Sequence, residues 1–192
     1  MNYPFLTGKK IDLRPFISAD IEMITKGEND PRVRETLFLA LPIGIDQVTM
    51  RIKGQLESRE TILLTIVDKK SGMGIGQTAF FRIDFVSRAA IFYLAILDPA
   101  CWNQGFGREA TRLMVEYAFT TLNLNRIQLH VFADNQPAIH IYQQIGFRQE
   151  GLLRQAMYHN GRYCNFWVMG ILRADWEQMR SAETNDPEQS NP

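Results

Sequence analysis

The sequence is poor in the features that mark secreted, membrane-spanning and nucleic-acid-binding proteins. It has only two cysteines, Cys101 and Cys164, too few to indicate a disulfide framework or a zinc site. Its 21 basic and 21 acidic residues give a formal net charge of zero, so no charge excess favours nucleic acid or an anionic membrane. No apolar run approaches the roughly 18 residues of a membrane span, and no secretion signal is recognisable. We therefore expect a cytoplasmic protein without a metal.

The length and the composition indicate one ordinary globular domain. The chain has 192 residues, of which 45% are hydrophobic and 22% charged, values normal for a soluble domain with a full core. We predict a single domain over residues 1–180. Residues 181–192 are polar and include two prolines, so we predict a disordered tail there.

A strand, a glycine-bearing loop and a helix follow one another near the middle of the chain. The apolar run 89–97 precedes the loop, and the amphipathic segment 109–122 follows it. Gly105 and Gly107 allow backbone N–H groups to converge where the positive end of a helix dipole begins. This arrangement predicts a site for phosphate or pyrophosphate.

Such a short glycine motif leaves several alternatives open. A dinucleotide-binding loop tolerates Ala110 at its third glycine position and could use Asp134 as its acidic residue. A P-loop needs Gly-Lys-Ser/Thr, which the sequence does not contain. A tight turn without any ligand is the remaining possibility.

The next segment reads as the end of a strand followed by a short helix. Asn135 suits the N-cap, Pro137 falls within the first turn, and Gly146 provides a left-handed stop. Apolar residues recur at helical spacing: Ala138, Ile141, Tyr142 and Ile145.

Together, the two segments resemble the GNAT acetyltransferase superfamily, whose members move an acetyl group from acetyl-CoA to an amine. The superfamily's glycine loop corresponds to residues 102–107, with Trp102 at a position where the RimJ/RimL-like branch, similar also to spermidine N-acetyltransferases, has tryptophan. The helix motif of that branch is met by Asn135, Ala138, Ile139, Ile141, Tyr142, Gly146 and Phe147. Its C-terminal pattern is met by Gly151, Arg154, Asn160–Tyr163, Met169–Arg173 and Trp176. The resemblance covers roughly residues 11–176.

The resemblance implies an α/β (mixed α+β) GNAT fold. We expect a central, mostly antiparallel, twisted sheet of about six to seven strands, flanked by about four helices. Strands four and five should splay apart below the glycine loop. The sequence itself indicates a turn at Asn160–Gly161 between two closing strands.

The resemblance also implies how acetyl-CoA would bind. Its pyrophosphate would lie on the glycine loop, and its pantetheine arm would pair with the backbone of the fourth strand. Asn135 would hydrogen-bond CoA while capping its helix. The predicted CoA-binding residues are Ala95, Ile96, Leu97, Asn103, Gln104, Gly105, Phe106, Gly107, Arg108 and Asn135.

By the same resemblance, Tyr142 is the catalytic residue. Its phenol would protonate the departing CoA thiolate, a form of general acid catalysis worth about 100- to 10,000-fold. The general base has no firm assignment. Phe92 stands where the related spermidine enzymes carry a glutamate, which leaves several candidates: Glu28, Glu35, Asp84, His130 and the disfavoured His140.

The segment over residues 36–42 is apolar, which favours a peptide N-terminus or an amino-bearing small molecule as acceptor. A polyamine is the alternative, because Glu28, Asp30 and Glu35 lie nearby in the sequence. A non-catalytic acyl-CoA sensor is a further alternative, and the closing hairpin could support a homodimer.

Overall fold

The computed structural model describes residues 3–37 and 39–184. The strands are β1 Leu6–Thr7, β2 Ile11–Pro15, β3 Ile62–Asp68, β4 Gly74–Asp84, β5 Ala89–Ile96, β6 Arg126–Phe132, β7 Arg148–His159 and β8 Arg162–Leu172. The helices are α1 Asp20–Asn29, α2 Pro31–Leu37, α3 Ile45–Glu57, α4 Phe106–Thr120, α5 Gln136–Ile145 and α6 Arg173–Thr184, with a 3₁₀ turn at Pro99–Cys101.

The strands form one sheet in the order β1-β2-β3-β4-β5-β6-β8-β7, in which only β5 and β6 are parallel. This confirms the predicted mixed fold with a mostly antiparallel sheet. The described residues contain eight strands rather than six to seven, because the two-residue β1 pairs with β2. They contain six helices rather than about four, because α2 and α6 are added.

Helix α6 is not predicted by its polar sequence. Its stability comes from a tertiary contact, since Trp176 packs on Phe119 of α4 with ring centroids 5.4 Å apart. The predicted tail over residues 181–192 begins inside this helix, which continues to Thr184. Residues 185–192 lie outside the described residues, so disorder there stays a prediction.

The sheet separates two hydrophobic clusters. The larger one contains buried residues of α4 and α5, among them Met114 and Ile139. The smaller one lies under α1 and α3 and includes Ile24 and Ile52. Because successive strand residues point to opposite faces, β5 contributes to both clusters.

The parallel pairing between β5 and β6 is short. It joins residues 89–91 of β5 to residues 126–128 of β6. Beyond that point β5 continues alongside β4 to Ile96, and β6 continues alongside β8 to Phe132. The two strands therefore diverge toward the glycine loop. They are the fourth and fifth strands of the predicted sheet, because the short β1 adds one to the numbering, so this divergence is the predicted splay. We call the space between them the β5–β6 gap.

A buried ion pair fastens β2 to α1. Asp20 accepts two hydrogen bonds of 2.7 Å from the Arg14 guanidinium, one of 2.7 Å from the Thr65 hydroxyl and one of 3.0 Å from the Ile17 N–H. Burial acts to raise the pKa of Asp20, but these bonds and the charge of Arg14 outweigh it and lower that pKa. The charged form is therefore favoured in the folded protein.

We expect Asp20→Asn to reduce the free energy of unfolding by roughly 3 kcal/mol, because it leaves the buried Arg14 charge without its partner. Because the folded pKa of Asp20 is depressed, its contribution is present above the unfolded value of about 3.9. That contribution disappears as the pH falls through the lowered folded pKa. Urea unfolding at several pH values measures both effects.

The matched control is Asp30→Asn, which breaks an Asp–Arg pair with the largely exposed Arg32. Exposed pairs contribute little, so this variant should unfold almost like the wild type. Equal losses in the two variants would contradict a special role for the buried pair.

Candidate active site

The glycine loop presents unpaired backbone donors at the start of α4. Gly105 is the N-cap with φ of +85°, a left-handed conformation that favours glycine, and no side chain caps the helix. The Glu109 N–H donates to the Gly105 carbonyl at 3.1 Å. The N–H groups of Phe106, Gly107 and Arg108 precede this bond and have no acceptor within the helix. They fit the diphosphate of CoA.

Contacts from the N-terminal hairpin support the loop. The Glu109 carboxylate accepts hydrogen bonds from the backbone N–H groups of Lys9 and Lys10. The Lys10 ammonium donates to the Gln104 carbonyl at 3.0 Å. A side chain at Gly8 would come within 2.3 Å of Glu109. Sequence reasoning missed this support, because about a hundred residues separate its two sides.

The register of β5 decides which backbone groups face the gap. Leu97 donates its N–H to the Ile75 carbonyl at 2.8 Å, so the backbone N–H group of Leu97 points toward β4. Because antiparallel pairing alternates along the strand, Ala95, which pairs with Gln77, is also directed there. The backbone groups of Leu94 and Ile96 therefore face the gap. Of the three residues predicted to pair with pantetheine, Ala95, Ile96 and Leu97, only Ile96 has backbone groups that face the gap. The structure adds Leu94 to the residues with this orientation.

Trp102 connects the loop to the same strand. Its indole N–H donates to the Ile96 carbonyl at 2.9 Å, which leaves the N–H of Ile96 directed toward the gap. Asn103, also predicted at this site, has φ of +59° and is exposed. The loop therefore turns through two left-handed residues, Asn103 and Gly105, before α4 begins.

Helix α5 begins and ends as the sequence predicts. The Asn135 side-chain oxygen accepts from the Ala138 N–H at 3.2 Å, and Gly146 ends the helix with φ of +106°. The cap uses only the oxygen of the Asn135 amide, so its NH₂ group is available to another acceptor. A contact between Asn135 and CoA stays a prediction.

Tyr142 lies on the inner face of α5, half-buried among aromatic rings. Its ring meets Phe92 edge-on at 6.5 Å and Phe147 at 5.7 Å between centroids. Burial, assisted by Tyr93, raises the pKa of Tyr142 to about 12. The phenol therefore keeps its proton at neutral pH. Phe92 provides no carboxylate beside it.

Arg108 has a partner within the protein. Its guanidinium donates to the Gln144 side chain, whose amide nitrogen lies 2.7 Å from His140 Nε2. This polar bridge joins α4 to α5. A contact between Arg108 and a phosphate stays a prediction and would require the arginine to share or exchange this partner.

The candidate bases are engaged elsewhere. Glu28 is buried and binds Arg51 through two hydrogen bonds of 2.7 and 2.9 Å. Hydrogen bonds from Asn160 and then His159 lower the pKa of Glu35. Hydrogen bonds within its own turn, from Ser87 and then Val86, lower the pKa of Asp84. A lowered pKa makes Glu35 and Asp84 weaker bases, and Glu28 is occupied by Arg51, so none of these three acids gains support.

No group of three or more His, Cys, Asp and Glu side chains within residues 3–37 and 39–184 could hold a metal ion. No helix there is both long and apolar enough to span a membrane.

Residues 10–148 match the family model of the acetyltransferase (GNAT) domain. The chain belongs to the GNAT acetyltransferase family. This confirms the predicted family and the use of acetyl-CoA for N-acetylation, while the narrower RimJ/RimL-like assignment stays a prediction.

Several curated proteins are similar over nearly the whole chain. The spermidine N(1)-acetyltransferase of Escherichia coli K12 is 31% identical over 171 residues, covering 87% of this chain and 88% of that protein. The probable N-acetyltransferase YjcK of Bacillus subtilis is 32% identical over 181 residues, covering 90% and 99%. The crystal structure of Vibrio cholerae spermidine N-acetyltransferase with CoA and spermine superposes with a TM-score of 0.81 at 27% identity, covering 88% and 99%.

We expect Gly105→Ala to weaken acetyl-CoA binding by about tenfold. A side chain at Gly105 would have space, with its nearest neighbour 3.7 Å away. The left-handed conformation nevertheless costs about 1–2 kcal/mol for alanine, which corresponds to roughly tenfold in affinity if the loop must regain it. Calorimetric titration with acetyl-CoA measures the change.

Gly72→Ala is the matched control, because Gly72 has φ of +71° with open space around it and lies in the β3–β4 turn. It should lower stability similarly and leave acetyl-CoA binding unchanged. If Gly105→Ala binds acetyl-CoA as tightly as Gly72→Ala, the loop does not depend on its left-handed turn.

Proposed function

We propose that this enzyme acetylates a primary amine on a small molecule or at a peptide N-terminus, by direct attack in a ternary complex. The observation that carries the proposal is the β5–β6 gap, which has unpaired donors of the glycine loop at its end and Tyr142 beside it. CoA would place its diphosphate on the N–H groups of residues 104–108 and its pantetheine along Leu94 and Ile96.

The reaction needs one proton donor at the sulfur. The amine nitrogen attacks the thioester carbonyl carbon, and the carbon–sulfur bond breaks with its electron pair going to sulfur. The Tyr142 hydroxyl gives its proton to that sulfur, so CoA leaves as a thiol. The proton lost by the nitrogen passes to solvent, and solvent reprotonates the phenolate. The products are the acetylated amine and free CoA.

The charges near α1 and α2 favour an acceptor with an apolar body. A polyamine requires carboxylates that are free to bind several ammonium groups. Glu28 is held by Arg51, and Asp30, whose pKa Arg32 lowers to about 2, is held by that arginine. Acidic side chains that are already paired with arginine offer little net negative charge to a polycation.

Glu35, the third of the acidic residues close to the apolar segment 36–42, has a structural role. Glu35 accepts hydrogen bonds from the Asn160 amide at 2.8 and 3.0 Å and lies 3.1 Å from His159 Nε2. It thereby joins α2 to the turn between β7 and β8, the two segments that we propose enclose the acceptor. Leu37 packs on the cluster under α1 and α3, whereas Leu41 is exposed.

A polyamine N-acetyltransferase is the second candidate, supported by the similarity to the spermidine N-acetyltransferases of Escherichia coli and Vibrio cholerae. A non-catalytic acyl-CoA sensor is a third, opposed by the retained Tyr142. A homodimer also stays a proposal. The edge strand β7 exposes Leu152, Leu153 and Met157, and natural proteins commonly cover such an edge.

An acceptor panel tests the proposed function. Thiol release from acetyl-CoA is followed with alkylamines, amino alcohols, a peptide with a free N-terminus, an aminoglycoside and spermidine. We expect turnover with monoamines and little with spermidine. The highest kcat/KM on spermidine would favour the second candidate, and acetyl-CoA binding without thiol release on any amine would favour the sensor.

We expect Tyr142→Phe to lower kcat by at least about tenfold, because it removes the general acid, while the Kd for acetyl-CoA stays unchanged. Since the pKa of Tyr142 is about 12, loss of its proton should not limit the wild-type rate near neutral pH. Single-turnover kinetics and calorimetry separate chemistry from binding.

Tyr117→Phe provides the control, because Tyr117 is a buried tyrosine of α4 that packs on Phe5. It should retain the wild-type kcat. Unchanged single-turnover chemistry in Tyr142→Phe would exclude the proposed role.

A further inference from the structure

A buried hydrogen-bond acceptor without a partner lies on β4, outside the groups already discussed. The Gln77 side chain is 6% exposed, and its Oε1 has no hydrogen-bond partner among residues 3–37 and 39–184. Buried polar atoms are almost always paired, because leaving one unpaired costs free energy. An unpaired Oε1 therefore marks a place suited to a donor that the chain itself does not provide.

Gln77 lies on the face of the sheet that carries α1 and α3. It pairs with Ala95 of β5, which belongs to the cluster under those helices. Tyr93 is two residues earlier on β5 and packs on the same cluster. Against the rise that burial causes, hydrogen bonding from the Gln77 side chain acts to lower the pKa of the Tyr93 phenol, so the two side chains are treated as one polar unit on this face.

Tyr93 connects this polar unit to Tyr142, the proposed general acid. Tyr93 follows Ile91, the last β5 residue paired with β6, so it lies where the β5–β6 gap opens. The Tyr93 and Tyr142 phenols are close enough to interact electrostatically. Burial raises the pKa of Tyr93 to about 12. At neutral pH both phenols therefore keep their protons, and neither carries a negative charge.

The charges around the unit favour a neutral donor. The charges of Glu28 and Arg51 both influence the pKa of Tyr93, but the Glu28 carboxylate accepts two hydrogen bonds from the Arg51 guanidinium. The pair therefore presents little net charge, so a buried ammonium group would lose its hydration without gaining a counter-charge. A hydroxyl or amide N–H can donate to the Gln77 oxygen without that desolvation cost.

We propose that Gln77 Oε1 is a specificity-determining group that accepts a hydrogen bond from a neutral donor on the acceptor substrate, beyond the reacting nitrogen. This rests on the proposed function and narrows its substrate class to primary amines that also carry a hydroxyl or an amide N–H. Amino alcohols are the simplest members of that class. Tyr93 acts as a positioning residue, because its phenol holds the Gln77 side chain.

The test compares matched substrates on matched variants. The kcat/KM values of amino alcohols of increasing chain length are measured against those of alkylamines with the same number of heavy atoms. We expect the wild type to prefer the best amino alcohol by about tenfold, mainly through KM, as one additional hydrogen bond provides. Gln77→Leu should lose this preference, so that its kcat/KM values for the amino alcohol and the matched alkylamine become equal.

Gln55→Leu is the control, since it makes the same chemical change at a half-buried glutamine of α3 and should retain the preference. If Gln77→Leu does not fold, Gln77→Met removes the same oxygen with a flexible chain of similar length. An unchanged preference in the folded variant, or no preference in an active wild type, overturns this inference alone. A wild type that acetylates no amine contradicts the proposed function as well.

Discussion

The active site of this acetyltransferase depends on the early divergence of two parallel strands. β5 and β6 share hydrogen bonds only over residues 89–91 and 126–128, after which each continues with a different antiparallel neighbour. Backbone groups that would be paired in a continuous sheet are left facing the β5–β6 gap, and buried backbone groups need partners. An extended amide-bearing arm, such as pantetheine, can supply them in the same way as an added strand.

Two different elements converge on that gap. The glycine loop brings unpaired N–H groups to its end, and α5 brings a phenol that burial keeps protonated. The side chain of Gln77 on β4 lies on the face of the sheet that carries α1 and α3. Because alternate residues of β5 face opposite sides of the sheet, Phe92 packs toward Tyr142 while Tyr93 packs under α1 and α3. One strand therefore joins the face that carries the proposed general acid to the face proposed for the acceptor.

Polar contacts between distant segments hold this arrangement together. Glu109 binds the backbone of the β1–β2 hairpin, and Glu35 binds the turn between β7 and β8. Glu28 is committed to Arg51. Since these acids are used within the protein, little negative charge is left for a polycation. This supports the proposal of an acceptor that is not a polycation.

The sequence by itself determined the local features, because their causes lie within a few residues. The left-handed turn at Gly105, the cap at Asn135 and the stop at Gly146 all follow from neighbouring residue types. Only the tertiary structure decided that Leu94 and Ile96 face the gap, because that depends on the register with β4. It also decided which arginines pair with the acidic residues and that the Gln77 side-chain oxygen has no partner. Both depend on burial and on contacts between distant residues, which produce no periodic pattern in the sequence.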